Sequence, residues 1–157
     1  MSELEEESKI KELLTRGVSA VYPSKEFLEQ KIKNGEKLTI YHGIDPTAPT
    51  LHVGHSVSLL KLAEFQKLGH QVILLIGDFT ALIGDPTDKT SVRTLLTKEE
   101  VLRNAKLYKK QASSLIRFFG ANSAKIRFNS KWLAKLTPLD YIKILSKMTY
   151  AQTIKRD

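Results

Sequence analysis

The chain has 157 residues, so it is expected to form one domain or a large part of one. It has no cysteine, which excludes disulfides and cysteine-ligated metal sites and fits a reducing compartment such as the cytoplasm. Its formal charge of +8, from 25 basic and 17 acidic residues, favours a polyanionic partner, although many basic proteins bind no nucleic acid.

The sequence does not indicate a membrane protein. Residues 1–7 are acidic and lack the basic and apolar regions of a signal peptide. The longest apolar stretch, residues 72–76, is far shorter than the roughly 20 residues that cross a bilayer. We therefore expect a soluble protein.

Two helices are predicted before the first strand. Residues 3–16 carry leucine and isoleucine at loosely helical spacing. A second helix should begin after Ser24, a good N-cap, and end at Asn34-Gly35. We assign residues 1–37 to an N-terminal helical segment.

A strand, a helix and a strand follow, at residues 38–44, 53–68 and 72–76. The second strand is a continuous apolar run, as expected for a strand covered on both faces of a parallel sheet. Together they form a βαβ unit, so we predict an α/β fold with a Rossmann-like parallel sheet and flanking helices. We assign residues 38–128 to the first half of this domain, which the chain leaves truncated.

The second half of the chain is predicted to contain a loop, two helices and a short strand. Residues 78–97 should be mainly loop. A capping box at Thr97 to Glu100 opens a long helix that we expect to continue to Phe119 and to close at Gly120. A strand follows at residues 125–128, and Thr137-Pro138 begins another helix within a connecting region at 129–157.

The most informative segment lies between the first predicted strand and helix. His52 and His55 are three residues apart, so they share one face at the N-terminus of the helix. Free backbone N–H groups and the helix dipole favour an anion there. Because open α/β sheets bind ligands at the carboxyl ends of their strands, this position indicates phosphate chemistry.

Other polar residues follow the same strands. Thr47 precedes the histidines, Asp85 follows the second strand, and Lys89 and Arg93 lie in the loop beyond it. Imidazoles can donate hydrogen bonds to phosphate whether neutral or charged. The two loop cations can close over a departing pyrophosphate, whereas Asp85 is better suited to a cation or a hydroxyl.

Motifs at this spacing resemble those of the bacterial tyrosyl-tRNA synthetases, a family of class I aminoacyl-tRNA synthetases. They are Gly43-Ile44-Asp45-Pro46-Thr47, Leu51-His52-Val53-Gly54-His55 and Leu82-Ile83-Gly84-Asp85-Pro86. The likeness extends from about residue 38 to the C-terminus and includes residues 127–132. It implies ATP-dependent activation of tyrosine, with Mg²⁺ accompanying ATP and no prosthetic group, then transfer to tRNA(Tyr) by a homodimer.

The resemblance also implies roles for individual residues. Thr47 and His52 would contact the phosphates of ATP, and His55 and Ser58 would lie near the ribose. Asp45 and Gly54 would also contact ATP, and Lys89 and Arg93 would contact pyrophosphate. Tyr41 would face the phenol of the substrate tyrosine and Asp85 its ammonium group. The tyrosine pocket would also include Gly43, Asp45 and Asn129.

One family signature is absent, a Lys-Met-Ser-Lys-Ser type loop. Ser146-Lys147-Met148-Thr149 resembles it superficially, but the second lysine is missing and the position is too early in the chain. We therefore expect the chain to be the N-terminal half of the catalytic domain.

Other interpretations of these residues remain open. The two histidines could bind a metal, with Asp45 the nearby acidic residue, or could cap or pack the helix. Asp85 could be a turn residue and Tyr41 a core or edge residue of a strand. Lys89 and Arg93 could be solvated. The chain could instead be an inactive nucleotide-binding folding unit, or a tryptophan- or pantothenate-activating nucleotidyltransferase.

Two further groups have a simple and a functional interpretation. Trp132 and Tyr141 are expected in the core or at a subunit interface. A basic run is expected to form the exposed face of its helix, with contact to tRNA as the alternative; it comprises Lys98, Arg103, Lys106, Lys109, Lys110 and Arg117.

Overall fold

A parallel sheet with helices packed against it forms the centre of the structure, a computed structural model that describes residues 3–83 and 96–149. The elements, in chain order, are α1 (Glu3–Leu13), α2 (Lys25–Lys33), β1 (Thr39–Ile44), α3 (Val53–Lys67), β2 (Gln71–Ile76), α4 (Lys98–Ala112), β3 (Lys125–Phe128), α5 (Ser130–Leu133) and α6 (Pro138–Leu145). A single 3₁₀ turn, Thr80–Leu82, follows β2. The predicted α/β fold is confirmed.

The helices begin where the sequence predicts caps. The Ser24 hydroxyl accepts the Phe27 N–H at 3.1 Å in front of α2. Thr97 and Glu100 form the expected capping box of α4, and Thr137 and Asp140 form another before α6. These side chains satisfy N–H groups that the first turn of a helix leaves without partners.

The three strands are parallel and lie in the order β1, β2, β3. Ile44 at the end of β1 pairs with Ile76 at the end of β2, and Ile76 pairs with Phe128 at the end of β3. The strands therefore end in register, and the residues that follow them meet at one edge of the sheet.

One face of the sheet is covered. Val72, Leu74 and Ile76 point to this face and are buried, whereas Ile73 and Leu75 on the other face are only partly buried. The prediction that β2 is covered on both faces is therefore wrong for the described residues. The helices α1 and α3 supply the buried side with Ile10, Leu13, Leu59, Leu62 and Phe65.

The buried face of α3 differs from the apolar pattern in its sequence. Leu59, Leu62 and Phe65 are buried, but Val57 and Leu60 are exposed. Trp132 and Tyr141 are exposed too, so neither is a core residue among the described residues. None of the described helices has the length and apolar character that a membrane span requires.

Helix α4 ends at Ala112, seven residues before the predicted end at Phe119. The hydroxyls of Ser113 and Ser114 bond back to carbonyls of the last helical turn. The buried Gln66 then takes both backbone groups of Arg117, accepting its N–H at 2.9 Å and donating to its carbonyl at 2.7 Å. These contacts replace the helical bonds that the sequence alone predicts.

Truncating Leu74 should show how much the covered face contributes to stability. Leu74 is fully buried, so Leu74→Ala should lower the free energy of unfolding by about 2–5 kcal/mol, measured by urea denaturation. Leu60, with 49% of its surface exposed, is the matched control, and Leu60→Ala should cost less than about 1 kcal/mol. Equal losses would contradict the assignment of Leu74 to the covered face of the sheet and of Leu60 to the exposed side of α3.

Candidate active site

The residues immediately after the three strands form the floor of the candidate site. The Gly77 N–H donates to the Ile44 carbonyl at 2.9 Å, and the Asn129 N–H donates to the Ile76 carbonyl at 3.0 Å. These bonds continue the sheet by one residue, so Asp45, Gly77 and Asn129 lie side by side at its carboxyl edge. This is the edge at which open α/β sheets bind ligands.

A chain of side-chain hydrogen bonds crosses this edge. The Thr80 hydroxyl donates to Asp45 Oδ1 at 2.7 Å and accepts from Asn129 Nδ2 at 2.9 Å. Asn129 is buried, and its Oδ1 accepts the Phe79 N–H at 2.9 Å. The orientation of the Asp45 carboxylate is therefore fixed by Thr80, which follows β2, and by Asn129, which follows β3.

Gly77 is required by this arrangement. A Cβ atom at residue 77 would lie 1.7 Å from Asp45 Oδ1 and 2.6 Å from the Thr80 hydroxyl oxygen. No side chain larger than hydrogen fits there without displacing the carboxylate. Glycine thus lets the Asp45 side chain cross the end of β2.

The loop between β1 and α3 is held by polar side chains of α4. The bonds are Asn104 Nδ2 to the Pro46 carbonyl at 3.1 Å, the Tyr108 hydroxyl to the Ala48 carbonyl at 2.8 Å, Gln111 Nε2 to the Pro49 carbonyl at 2.9 Å, and the Leu51 N–H to Gln111 Oε1 at 2.8 Å. Residues 104, 108 and 111 follow helical i, i+4, i+7 spacing and share one face. This face positions the loop that leads into the histidines.

Both histidines cap the start of α3. Nδ1 of His52 accepts the Gly54 N–H at 3.1 Å, and Nδ1 of His55 accepts the His52 N–H at 3.1 Å. Their ring centroids are 3.8 Å apart. Because Nδ1 is an acceptor in each ring, the proton of the neutral imidazole is on Nε2. Each ring therefore keeps one N–H donor for a ligand.

Gly54 allows this packing of the histidine rings. A Cβ at residue 54 would lie 2.9 Å from Cε1 and 3.0 Å from Nδ1 of His52. A larger residue would displace the His52 ring from the end of the helix. This steric limit explains why the motif has glycine at position 54.

Burial and neighbouring charge keep His55 neutral. Its pKa is lowered chiefly by desolvation, and further by the positive charges that His52 and His42 carry when protonated. Burial also lowers the pKa of His42. A neutral His55 can donate through Nε2 without carrying a charge.

Tyr41 lies beside an open groove on the uncovered face of the sheet. Its side chain is 69% exposed, and the groove has a volume of about 660 Å³, within the range of small-molecule sites. The other lining residues are Ile73, Leu75, Arg127, Phe128, Lys131 and Trp132. The groove is mostly apolar and has cationic side chains at its rim.

Three further residues expected in the site lie in the β1–α3 loop, in α3 and in β1. Thr47 is exposed in the loop, and Ser58 lies one helical turn after His55 on α3. A Cβ at Gly43 would make only an ordinary contact, 3.9 Å from Leu75 Cδ2. Asp85, Lys89 and Arg93 fall outside the described residues.

Several positioning residues escaped the sequence analysis. Thr80 gave no signal, because a threonine in a predicted loop has many uses. A signal was present for three polar residues of α4, because they lie on the helix face that also carries the buried Val101 and Ala112. They are Asn104, Tyr108 and Gln111. Polar groups on a buried face require partners.

The metal interpretation of the histidine pair finds no support in the part of the chain that the structure describes. No group of three or more His, Cys, Asp or Glu residues there could hold a metal ion. Moreover, Nδ1 of each ring is already bonded to a backbone N–H.

Replacing Gly77 tests the Asp45–Thr80–Asn129 connection. Gly77→Ala should lower the free energy of unfolding by about 1–3 kcal/mol, because the added methyl must displace Asp45 or Thr80. Gly43→Ala is the matched control, and its methyl meets only an ordinary contact. Urea denaturation of both variants measures the difference, and a harmless Gly77→Ala would contradict the close packing.

The pKa of His55 gives a pH test. NMR titration, with the resonance assigned by His55→Gln, should give a pKa below the ordinary value of 6.5. Because the unfolded chain then binds the proton more tightly, the contribution of neutral His55 to stability is complete above pH 6.5 and is lost as the pH falls below it. A pKa above 6.5 would show that the ring is not desolvated in this way.

Comparisons with known proteins agree with this geometry. The family described as tRNA synthetases class I (W and Y) matches residues 33–156. The tyrosine–tRNA ligase of Carboxydothermus hydrogenoformans is 47% identical over 93% of this chain, and that of Thermotoga maritima is 46% identical over 92%. The chain spans only 36% and 35% of the lengths of these two relatives.

Solved structures show the same fold. A C-terminally truncated mitochondrial tyrosyl-tRNA synthetase of Aspergillus nidulans has a TM-score of 0.76 and 26% identity. The match covers 95% of this chain and 45% of the Aspergillus chain. A tyrosyl-tRNA synthetase of Archaeoglobus fulgidus complexed with L-tyrosine has a TM-score of 0.67 and 25% identity. The match covers 91% of this chain and 41% of the Archaeoglobus chain. With histidines capping the first crossover helix, an aspartate fixed at the end of β1 and a family match across most of its length, this chain belongs to the class I tRNA synthetases.

Proposed function

We propose that this chain is the N-terminal part of the catalytic domain of a tyrosine–tRNA ligase. The full-length enzyme would activate tyrosine with ATP and transfer it to tRNA(Tyr). The observation that carries the proposal is the paired capping by His52 and His55, which leaves a Nε2–H donor on each ring at the ligand-binding edge of the sheet.

The chemistry needs this kind of site. A carboxylate oxygen of tyrosine attacks the α-phosphorus of ATP, the bond from that phosphorus to the bridging oxygen breaks, and pyrophosphate leaves. The attacking carboxylate is already ionised, so no general base is required. Catalysis then depends on alignment and on donors that meet the developing negative charge.

The nucleotide would lie across the N-terminus of α3. We propose that His52 and Thr47 contact its phosphates, with His55 and Ser58 nearer the ribose and Asp45 and Gly54 also in contact with ATP. Mg²⁺ would accompany the phosphates of ATP. Lys89 and Arg93 would meet the pyrophosphate, by the family resemblance of their loop.

The tyrosine would occupy the groove beside Tyr41. An apolar wall formed by Ile73 and Leu75 suits an aromatic ring, and the Tyr41 hydroxyl could bond to the substrate phenol. Gly43 of β1, with Asp45 and Asn129 at the carboxyl edge of the sheet, would complete the tyrosine pocket, and Asp85 would take the ammonium group. Tyrosine is favoured over tryptophan because the curated relatives at 43–47% identity are tyrosine–tRNA ligases.

A second candidate function is a nucleotide-binding folding unit without activity of its own. It is favoured by the uncovered face of the sheet. A tryptophan-activating enzyme has weaker support, since the Plasmodium falciparum tryptophanyl-tRNA synthetase is 16% identical and shows the fold alone.

We also propose a homodimer and a cytoplasmic location. Apolar side chains are exposed on α6 at Leu139, Ile142 and Leu145, and Trp132 is exposed nearby in the sequence. Such surfaces are typical of subunit interfaces. The cytoplasm is favoured by the lack of cysteine and by a role in translation.

Calorimetry with a non-hydrolysable tyrosyl-adenylate analogue tests the proposed function. The chain should bind this analogue more tightly than its tryptophanyl counterpart. His52→Ala should weaken binding of the adenylate analogue by about 1.5–3 kcal/mol, the usual contribution of a hydrogen bond to a charged group, and should leave the binding of free tyrosine nearly unchanged.

Lys67→Ala, at the opposite end of α3, is the control and should bind the adenylate analogue like the unmodified chain. Equal binding of both analogues would favour the nucleotide-binding unit over a tyrosine enzyme. Equal losses of tyrosine and adenylate affinity in His52→Ala would contradict the phosphate role of the histidine.

A further inference from the structure

The positive charge of this protein is concentrated in one segment. Nine lysine and arginine residues and no acidic residue occur between Val101 and Leu139. The other 16 basic residues are balanced by all 17 acidic ones, so this segment accounts for the whole net charge of +8. Such segregation of charge is typical of a surface that meets a polyanion.

Exposed cations on α4 are followed by a loop that carries the exposed residues Arg117 and Phe119. Arg103, Lys106 and Lys110 follow i, i+3, i+7 spacing on one side of the helix and are exposed. Lys109 Nζ lies 5.8 Å from the centre of the Phe118 ring, which brings the loop against the helix end. We call this surface the basic face; it comprises Arg103, Lys106, Lys109, Lys110, Arg117 and Phe119.

The basic face lacks the ion pairs that balance other surfaces of the protein. Elsewhere Arg16 pairs with Glu12, Lys31 with Glu36, and Lys61 with Glu64. Within residues 3–83 and 96–149, no salt bridge joins a cation of the basic face to a carboxylate, although the pKa of Glu100, lowered chiefly by its hydrogen bonds with Thr97, is lowered further by the charge of Arg103. Mutual repulsion of such charges is relieved when a polyanion binds.

An exposed aromatic residue, Phe119, follows Arg117 by two positions in the chain. Phe119 has 76% of its surface exposed, between Arg117 and the turn at Gly120, whose φ is +80°. The opposite side of α4 holds the β1–α3 loop through Asn104 and Tyr108, so the basic face points away from those contacts. An exposed aromatic ring in a segment rich in cations suits a stacked nucleobase and a phosphate chain, whereas an acidic peptide would need only the cations.

We propose that the basic face binds RNA, with the α4 cations on the phosphate backbone and Phe119 stacked on a base. This surface is separate from the histidines and from the Tyr41 groove. The inference rests on the proposed function for the choice of RNA, because that reaction already uses an RNA substrate.

Fluorescence anisotropy with a labelled oligouridylate and with unfractionated tRNA tests the proposal over a range of salt concentrations. The variant Lys106→Glu/Lys110→Glu should bind the oligouridylate on the order of tenfold more weakly. The slope of log K against log salt should become shallower by about 1.4, since each phosphate contact on a single strand contributes about 0.7.

Lys11→Glu/Lys67→Glu is the matched control, because it changes the net charge equally at exposed lysines outside the basic face. It should retain most of the affinity. Phe119→Ala should weaken binding about fivefold or more without changing the salt slope, and Phe119→Trp should restore it. Circular dichroism and binding of the tyrosyl-adenylate analogue, unchanged in all variants, exclude a folding defect.

Equal loss in the two lysine variants would overturn the proposal, since net charge alone would then explain binding. Competition by polyglutamate as strong as by oligouridylate would also overturn it, in favour of an acidic protein partner. Intact RNA binding in a chain that fails to bind the adenylate analogue would uphold the basic face and contradict only the proposed function.

Discussion

The structure depends on how the β1–α3 loop is held. Pro46 and Pro49 supply no N–H to the loop, in which the Thr47 N–H donates to the Asp45 carbonyl at 2.8 Å. Other carbonyls of the loop are bonded by Asn104, Tyr108 and Gln111 of α4, from about 60 residues away in the chain. Each such bond is worth only about 1 kcal/mol, but together they fix the point at which α3 begins, and with it the histidine pair.

The histidine pair combines a structural and a chemical property. By capping α3 through Nδ1, each ring fixes its own tautomer and directs its remaining proton to Nε2. Two of the backbone N–H groups that the sequence analysis assigned to an anion are therefore used by the rings. The rings, with the dipole of the helix behind them, become the donors at this end of the helix. Capping and phosphate binding, which were competing interpretations of the sequence, are thus compatible.

Helix α4 connects the candidate active site with the basic face. Its polar inner positions hold the loop, and its outer positions carry cations that form no salt bridge within the described residues. Tyr108 shows how close the inner side of α4 lies to the candidate site: burial raises the pKa of its hydroxyl and the Asp45 carboxylate raises it further, although the bond to Ala48 opposes this. A polyanion on the basic face would therefore bind to the helix that positions the candidate active site.

Local properties of the sequence determined the elements, their caps and the candidate chemistry. Ser24, Thr97 and Thr137 begin their helices as predicted, because a capping bond spans only three residues. The position of His52 and His55 on one turn at the ligand edge also follows from spacing alone. Tertiary structure decided which face of β2 is covered and where α4 ends, because Gln66 reaches Arg117 across 51 residues and no local pattern records that contact. Likewise, only the register of three strands brings Asp45, Thr80 and Asn129 into one hydrogen-bonded chain.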